Sequence, residues 1–133
     1  MPRYDVSAHD PPAPVAEVTL RSSDGSSATP VVPGILLLID TGADVTLLPR
    51  RAVVERLGVQ PQPGEQVELI GFDGTRTTAD AVELDMIFLN KAFRGRYLLT
   101  SDDRGILGRD VLAAVVLLLN GPQQEWSEYR AGP

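Results

Sequence analysis

Two short stretches of this chain bring together residue types that do chemistry. The first is Asp40-Thr41-Gly42-Ala43-Asp44, which follows directly on the aliphatic run Ile35–Ile39. The second is Ile106-Leu107-Gly108-Arg109-Asp110, which lies 68 residues further on, counting Asp40 to Gly108. A carboxylate at the end of an apolar strand costs free energy unless it is paired or reactive. Gly42 permits a tight turn or close backbone approach, and the Thr41 hydroxyl can lock such a turn by bonding to backbone. A carboxylate held this way against apolar walls suits acid–base work. Turns rich in Asp and Gly also arise for structural reasons alone, so the tripeptide by itself leaves both readings open.

Other chemistries are poorly served. The chain has 133 residues, no cysteine and a single histidine, His9. A disulfide framework and a thiolate metal site are therefore excluded, and no metal or other cofactor is expected. The formal net charge is −6, and Arg50, Arg51, Arg94, Arg96, Arg104 and Arg109 are scattered among acids. Nucleic acid, which needs clustered cations, is not an expected partner. The aliphatic runs at 35–39 and 111–119 fall well short of the ~20 residues that span a bilayer. With no apolar signal core at the N-terminus, the chain reads as a soluble, cytoplasmic protein without a membrane partner.

The elements that must position these residues are mostly strands. The length suits one domain, and 43% hydrophobic residues against 5% aromatics imply a core of Val, Leu, Ile and Ala. Residues 1–14, with four prolines, read as a flexible leader, residues 15–121 as the folded domain and residues 122–133 as a polar tail. Val15–Leu20 and the Ile35–Ile39 run are predicted strands joined by a Ser/Gly loop. Pro49 to Leu57 predicts a short helix closed by Gly58. Val67 and Leu69, then Val82, Leu84 and Met86, alternate with acids as half-exposed strands do, and Asp73-Gly74 marks a hairpin turn between them. "MIFLN" and "FRGRYLLT" predict a further pair turning at Asn90-Lys91. Asp110 is expected to cap a brief helix through Ala114, followed by a strand over Val115–Leu119. About seven or eight short strands and two short helices give an all-β class, as a closed barrel or sandwich. Trp126 and Tyr129 are expected to cover an edge of the core.

Taken in order, Leu38-Ile39-Asp40-Thr41-Gly42-Ala43-Asp44 and Ile106-Leu107-Gly108-Arg109-Asp110 resemble the two motifs of the retropepsins, the single-domain aspartic proteases of retroviruses, retroelements and their cellular relatives. The resemblance covers about residues 15–121. It implies a retropepsin-like closed barrel with one short helix before the last strand. It also implies an aspartic endopeptidase acting on extended polypeptides, with Asp40, Thr41 and Gly42 as the catalytic turn. One Asp-Thr-Gly per chain implies a symmetric homodimer, in which two Asp40 carboxylates share one proton and activate water. Ala43 and Asp44 are implied to line the substrate groove, and Ile106, Leu107, Gly108 and Arg109 to support the turn, with Arg109 paired to a partly buried Asp44.

"LIGFDGT" lies where the family places its flap hairpin. This implies that Ile70, Gly71, Phe72 and Gly74 close over substrate, although an ordinary hairpin tip is an equal reading of those residues. The chain lacks the extra glycines of the viral flap tip. Its proline-rich leader and Pro122 also depart from the interleaved terminal strands of viral members. The helix at about 50–57 is common among cellular relatives and points to a cellular or bacterial member. The competing functional reading is a retropepsin-like domain used for binding or assembly without turnover. An unrelated barrel with a chance Asp-Thr-Gly turn is the third.

Overall fold

The computed structural model describes residues 2–23, 30–71 and 73–130. The expected Ser/Gly loop falls largely outside these residues, as does Phe72. Among the described residues ten strands form: β1 (Tyr4–Asp5), β2 (Ala13–Arg21), β3 (Val31–Ile39), β4 (Leu47–Pro49), β5 (Gln66–Ile70), β6 (Arg76–Phe88), β7 (Lys91–Thr100), β8 (Gly105–Leu107), β9 (Leu117–Asn120) and β10 (Glu125–Glu128). A short π-helix covers Arg51–Leu57, and a single-turn helix, α1, covers Arg109–Leu112.

The pairings make a ring. β2 pairs with β3, β3 with β8, β8 with β4, β4 with β7, β7 with β6, and β6 returns to β2. This closed barrel of six strands removes the open edges that a small sheet would otherwise expose. β5 extends the sheet beyond β6, and β9 and β10 form a separate two-stranded sheet. The main core gathers Leu20, Leu37, Leu48, Leu84, Met86, Phe88, Leu107 and Trp126.

β3 is less uniformly buried than its aliphatic run suggests. Ile35 and Leu37 are buried, Leu36 is exposed, and Leu38 and Ile39 are half-buried, because only alternate residues face the barrel interior. Where β2, β6 and β7 lie side by side, the buried Asp85 stands between two arginines. Arg21 and Arg94 are its cross-strand partners on either side. The Arg21 guanidinium donates to it at 3.0 Å, and Arg94 Nε at 2.9 Å. Hydrogen bonds from Arg94 and then Arg21 hold the Asp85 carboxyl below the usual carboxylate range, against the opposing effect of burial.

Several expectations are corrected. Leu47–Pro49 pairs in parallel with Leu98–Thr100 as a strand, so the helix begins only at Arg51. It does close on Gly58, in a left-handed conformation at φ 81°. β6 begins at Arg76, six residues before Val82, and continues to Phe88 in place of a separate "MIFLN" strand. The β6–β7 turn is at Leu89-Asn90, one residue earlier than expected. Both residues have positive φ (55° and 62°), as a two-residue hairpin turn of type I′ requires.

Both chain ends are paired along part of their length. β1 pairs with β2, Arg3 bridges to Glu125, and Tyr4 N donates to Gln124 O at 2.9 Å. In the segment read as a polar tail, β10 pairs with β9. Trp126 is buried against Phe88 and donates from Nε1 to Val15 O at 2.8 Å. The Asp5 carboxylate accepts bonds from Ser7, Ala8 and Arg104. Among the described residues no helix is long and apolar enough to cross a membrane.

Candidate active site

Asp40 is the residue at which β3 ends, and the strand next to it explains its position. β8 runs parallel to β3, with Leu37 opposite Gly105, Leu38 opposite Ile106 and Ile39 opposite Leu107. Asp40 N extends this ladder by donating to Leu107 O at 3.1 Å. The chain then reverses: Ala43 N donates to Asp40 O at 3.2 Å, and Gly42 N donates to Asp40 Oδ1 at 2.9 Å. One carboxylate oxygen is thus oriented by the turn's own backbone. Asp40 is half-buried, while Thr41 and Gly42 are exposed.

The outgoing chain passes over β8, so that residues 40–47 wrap Gly105–Gly108. The close approach dictates the glycines. A Cβ on Gly108 would lie 2.4 Å from Val45 O, and one on Gly105 would lie 2.1 Å from Leu47 O. Both contacts are backbone, which cannot swing aside as a side chain can. The sequence pattern picked out Gly108, whereas Gly105 had no visible reason until β4 was seen to cross it.

Arg109 fastens the loop at three points. Its backbone N donates to Ala43 O at 2.9 Å, Nη1 donates to Thr41 O at 2.6 Å, and Nη2 bonds the Asp44 carboxylate. The expected Asp44–Arg109 pair is present, but it is not partly buried. The Asp44 side chain is 82% exposed and that of Arg109 51% exposed in the single chain. Such a pair contributes little to stability on its own, on the order of 0–1 kcal/mol. Its geometric effect is to fix the Thr41 carbonyl.

Two further residues carry the site and were not singled out for it. Thr46, fully buried, donates from N to Asp110 Oδ2 at 3.0 Å and from Oγ1 to Asp110 Oδ1 at 2.6 Å. The same hydroxyl accepts from Gly108 N at 3.0 Å. Asp110 therefore lies inside α1, whose N-cap is Gly108, and its carboxylate reaches back to the Asp40 loop instead of capping the helix. The signal available in the sequence was a Thr just beyond Asp44 and an Asp just after Gly-Arg, each poised to bond backbone.

The structure brings Asp40, Thr41, Gly42, Ala43 and Asp44 together with Ile106, Leu107, Gly108 and Arg109. It places Ile70, Gly71 and Gly74 elsewhere, at the tip of the β5–β6 hairpin. Ile70 is exposed there, and Gly74 takes φ 83°. The tip is held by Gly71 N donating to Thr75 O at 2.9 Å and by Thr75 N donating to Asp73 at 2.9 Å. The connection to the site is apolar. Val67 and Leu69 of the hairpin share a cluster with Val45 and Leu47 of the outgoing loop, around Ala79, Ala81 and Leu98.

A search of curated proteins returns no match. The fold is similar to that of EIAV protease complexed with the inhibitor HBY-793. The TM-score is 0.58, with 22% identity over 84% of this chain and 91% of that one. A second solved structure, the simian foamy virus (mac) protease, aligns over 74% of this chain and 91% of that chain at 14% identity, with a TM-score of 0.49. The first of these establishes a retroviral protease-like fold. A family model described as aspartyl protease matches residues 32–111, more than half of the chain and the span that holds both the Asp40 turn and Gly108-Arg109. The protein belongs to the aspartyl protease family.

Proposed function

We propose that the chain is an aspartic endopeptidase whose active form is a symmetric homodimer. The observation that carries this reading is the seating of Asp40. Its backbone is held by Leu107, one carboxylate oxygen is held by Gly42 N, and its loop is fastened by Arg109. Peptide hydrolysis without a covalent intermediate needs a base to activate water and an acid to protonate the substrate. Two carboxylates about 3 Å apart cannot both ionise, so the pair holds one proton and provides both functions. With one Asp-Thr-Gly per chain, the second carboxylate comes from a second copy. Water between the two Asp40 side chains attacks the scissile carbonyl, and the resulting gem-diol collapses as the leaving nitrogen takes a proton. The substrate is an extended polypeptide, lying along Ala43 and Asp44 with the β5–β6 hairpin tip above it.

β9 supports the dimer. Among the described residues it pairs on one side only, with β10, and Val116, Leu118 and Leu119 are all exposed. Consecutive leucines on a strand point to opposite faces, so both faces of this free edge carry uncovered apolar surface. A second copy seated on that edge would cover it.

The test is digestion of a peptide library by wild type and Asp40→Asn, from acid to neutral pH. The wild type is expected to cleave, with activity falling as both carboxylates ionise. Asp40→Asn is expected to lose cleavage while keeping its fold. Full activity in Asp40→Asn would overturn the reading. A strictly monomeric wild type that cleaves nothing would favour a domain that binds polypeptide without turnover.

A further inference from the structure

The β5–β6 hairpin leaves the barrel at one defined point. From Arg76 to Asp80, β6 pairs with β5, and from Ala81 onward it pairs with β7. Asp80 is the last residue on the hairpin side of this exchange, directly opposite Gln66. Each of its carboxylate oxygens has a different partner. Gln66 Nε2 donates to Oδ1 at 3.0 Å, and Arg50 Nη2 bonds Oδ2. Gln66 belongs to the hairpin itself. Arg50 does not: it joins β4 to the π-helix, ten residues after Asp40 on the chain that leaves the Asp40 loop.

One carboxylate thus connects the root of the hairpin to the strand that carries the active-site turn outward. The hydrogen bond from Gln66, and then that from Arg50, hold the Asp80 carboxyl below the usual range, so it is ionised near neutral pH. The Asp80 side chain is 26% exposed and that of Arg50 46%. Other polar contacts at the root involve neither Arg50 nor the Asp40 loop. Gln62 N donates to Ala81 O at 3.0 Å, Ala81 N donates to Glu65 O at 3.3 Å, and Arg96 pairs with Glu65 at 3.4 Å. These tie the hairpin to its own preceding loop and to β7. Among the described residues, Arg50–Asp80 is the ion pair between the hairpin and the segment leaving the Asp40 loop.

We propose that Asp80 and Arg50 are a positioning pair: a charged hinge pin that sets the inclination of the β5–β6 hairpin relative to the Asp40 loop and thereby the retention of polypeptide substrate. The role in substrate retention rests on the endopeptidase reading given above; the hinge itself does not. The apolar cluster of Val67, Leu69, Val45 and Leu47 provides non-directional attraction between hairpin and loop. The ion pair supplies direction, because both the carboxylate and the guanidinium must be oriented to meet.

The experiment uses the full chain as wild type, Asp80→Asn, Arg50→Gln, the double variant, and the exchanged pair Arg50→Asp with Asp80→Arg. Amide hydrogen exchange is followed in the unliganded proteins, and steady-state cleavage of a peptide found by library digestion is followed alongside. Each single variant is expected to speed exchange in residues 66–79 about fivefold, as loss of a half-exposed pair implies, with β2 and β7 unchanged. The double variant should be no worse than either single, and the exchanged pair should recover part of the protection. KM should rise by a similar factor, about fivefold, with kcat changed less than about twofold.

Unchanged hairpin exchange, additive single effects, or a uniform increase through the barrel would each overturn the hinge. Faster hairpin exchange with an unaltered KM would overturn its role in substrate retention. A wild type that cleaves no peptide would remove the endopeptidase reading, while hydrogen exchange, which needs no turnover, would still decide the hinge.

Discussion

Thr46 and Asp110, 64 residues apart, are joined by two hydrogen bonds at 3.0 and 2.6 Å, and the Thr46 hydroxyl also receives Gly108 N at 3.0 Å. This single buried threonine is where the loop after Asp40 and the Gly-Arg-Asp turn are fastened together. Its hydroxyl donates to Asp110 and accepts from Gly108 N, using its one donor and one of its two lone pairs. Thr46→Val keeps the volume but leaves the Gly108 N–H and one carboxylate oxygen without that partner. The expected loss is about 2–3 kcal/mol in denaturant unfolding, and Thr46→Ser should recover most of it.

Gly108→Ala tests the crossing itself. Its backbone lies in an extended region that alanine tolerates, so the penalty is steric and comes from Val45. Separation of the Asp40 loop from β8 is the only relief, at a cost of about 3 kcal/mol or more. Urea denaturation should show the loss, and any cleavage activity should fall along with stability. An alanine variant as stable as wild type would contradict the close approach.

Asp85 links stability to pH. Its folded pKa is depressed by Arg94 and then Arg21, so its contribution is fully present above its unfolded value of about 4. The contribution is lost as pH falls through the lower folded value. Asp85→Asn should therefore be destabilised by about 2 kcal/mol at neutral pH, with both arginines left facing a neutral amide. The gap to wild type should narrow in strong acid, which denaturation midpoints measured across pH will show. A gap that is constant with pH would assign the effect to packing.

The free edge of β9 gives a prediction about assembly. Leu118→Glu or Leu119→Lys places a charge on surface that a second copy is expected to cover. Either change should shift the sedimentation of the protein toward monomer and reduce cleavage by an order of magnitude or more, since one carboxylate cannot perform the reaction. Retention of the dimer in both variants would move the interface elsewhere.

Much of this arrangement was legible in the sequence, and the reasons are local. Asp40 follows an aliphatic run, Gly108 follows another, and Gly58 closes a helix, so each announces itself through its immediate neighbours. What was hidden depends on residues far apart in the chain. Pro49 resembles the start of a helix until the pairing of Leu47–Pro49 with Leu98–Thr100 makes it the end of a strand. Asp110 has the look of a cap, yet Thr46 offers its carboxylate two stronger donors. Of the two aromatics expected to cover an edge of the core, Trp126 does so, against Val15 and Phe88, whereas Tyr129 is exposed. The Asp44–Arg109 pair was anticipated, but its exposure was not, because solvent access follows from where the loop faces and not from which residues form it.

The parallel pairing of β3 with β8 also has a consequence for how the protein is made. The segment ending in Asp40 leaves the ribosome well before Gly105–Gly108 does, and the interval is 68 residues of chain, counting Asp40 to Gly108. At a synthesis rate of about 5–20 residues per second, the Asp40 turn spends several seconds with β2 beside its strand but without β8. The bonds that fasten the Asp40 loop to Leu107 and Arg109 form only after that interval.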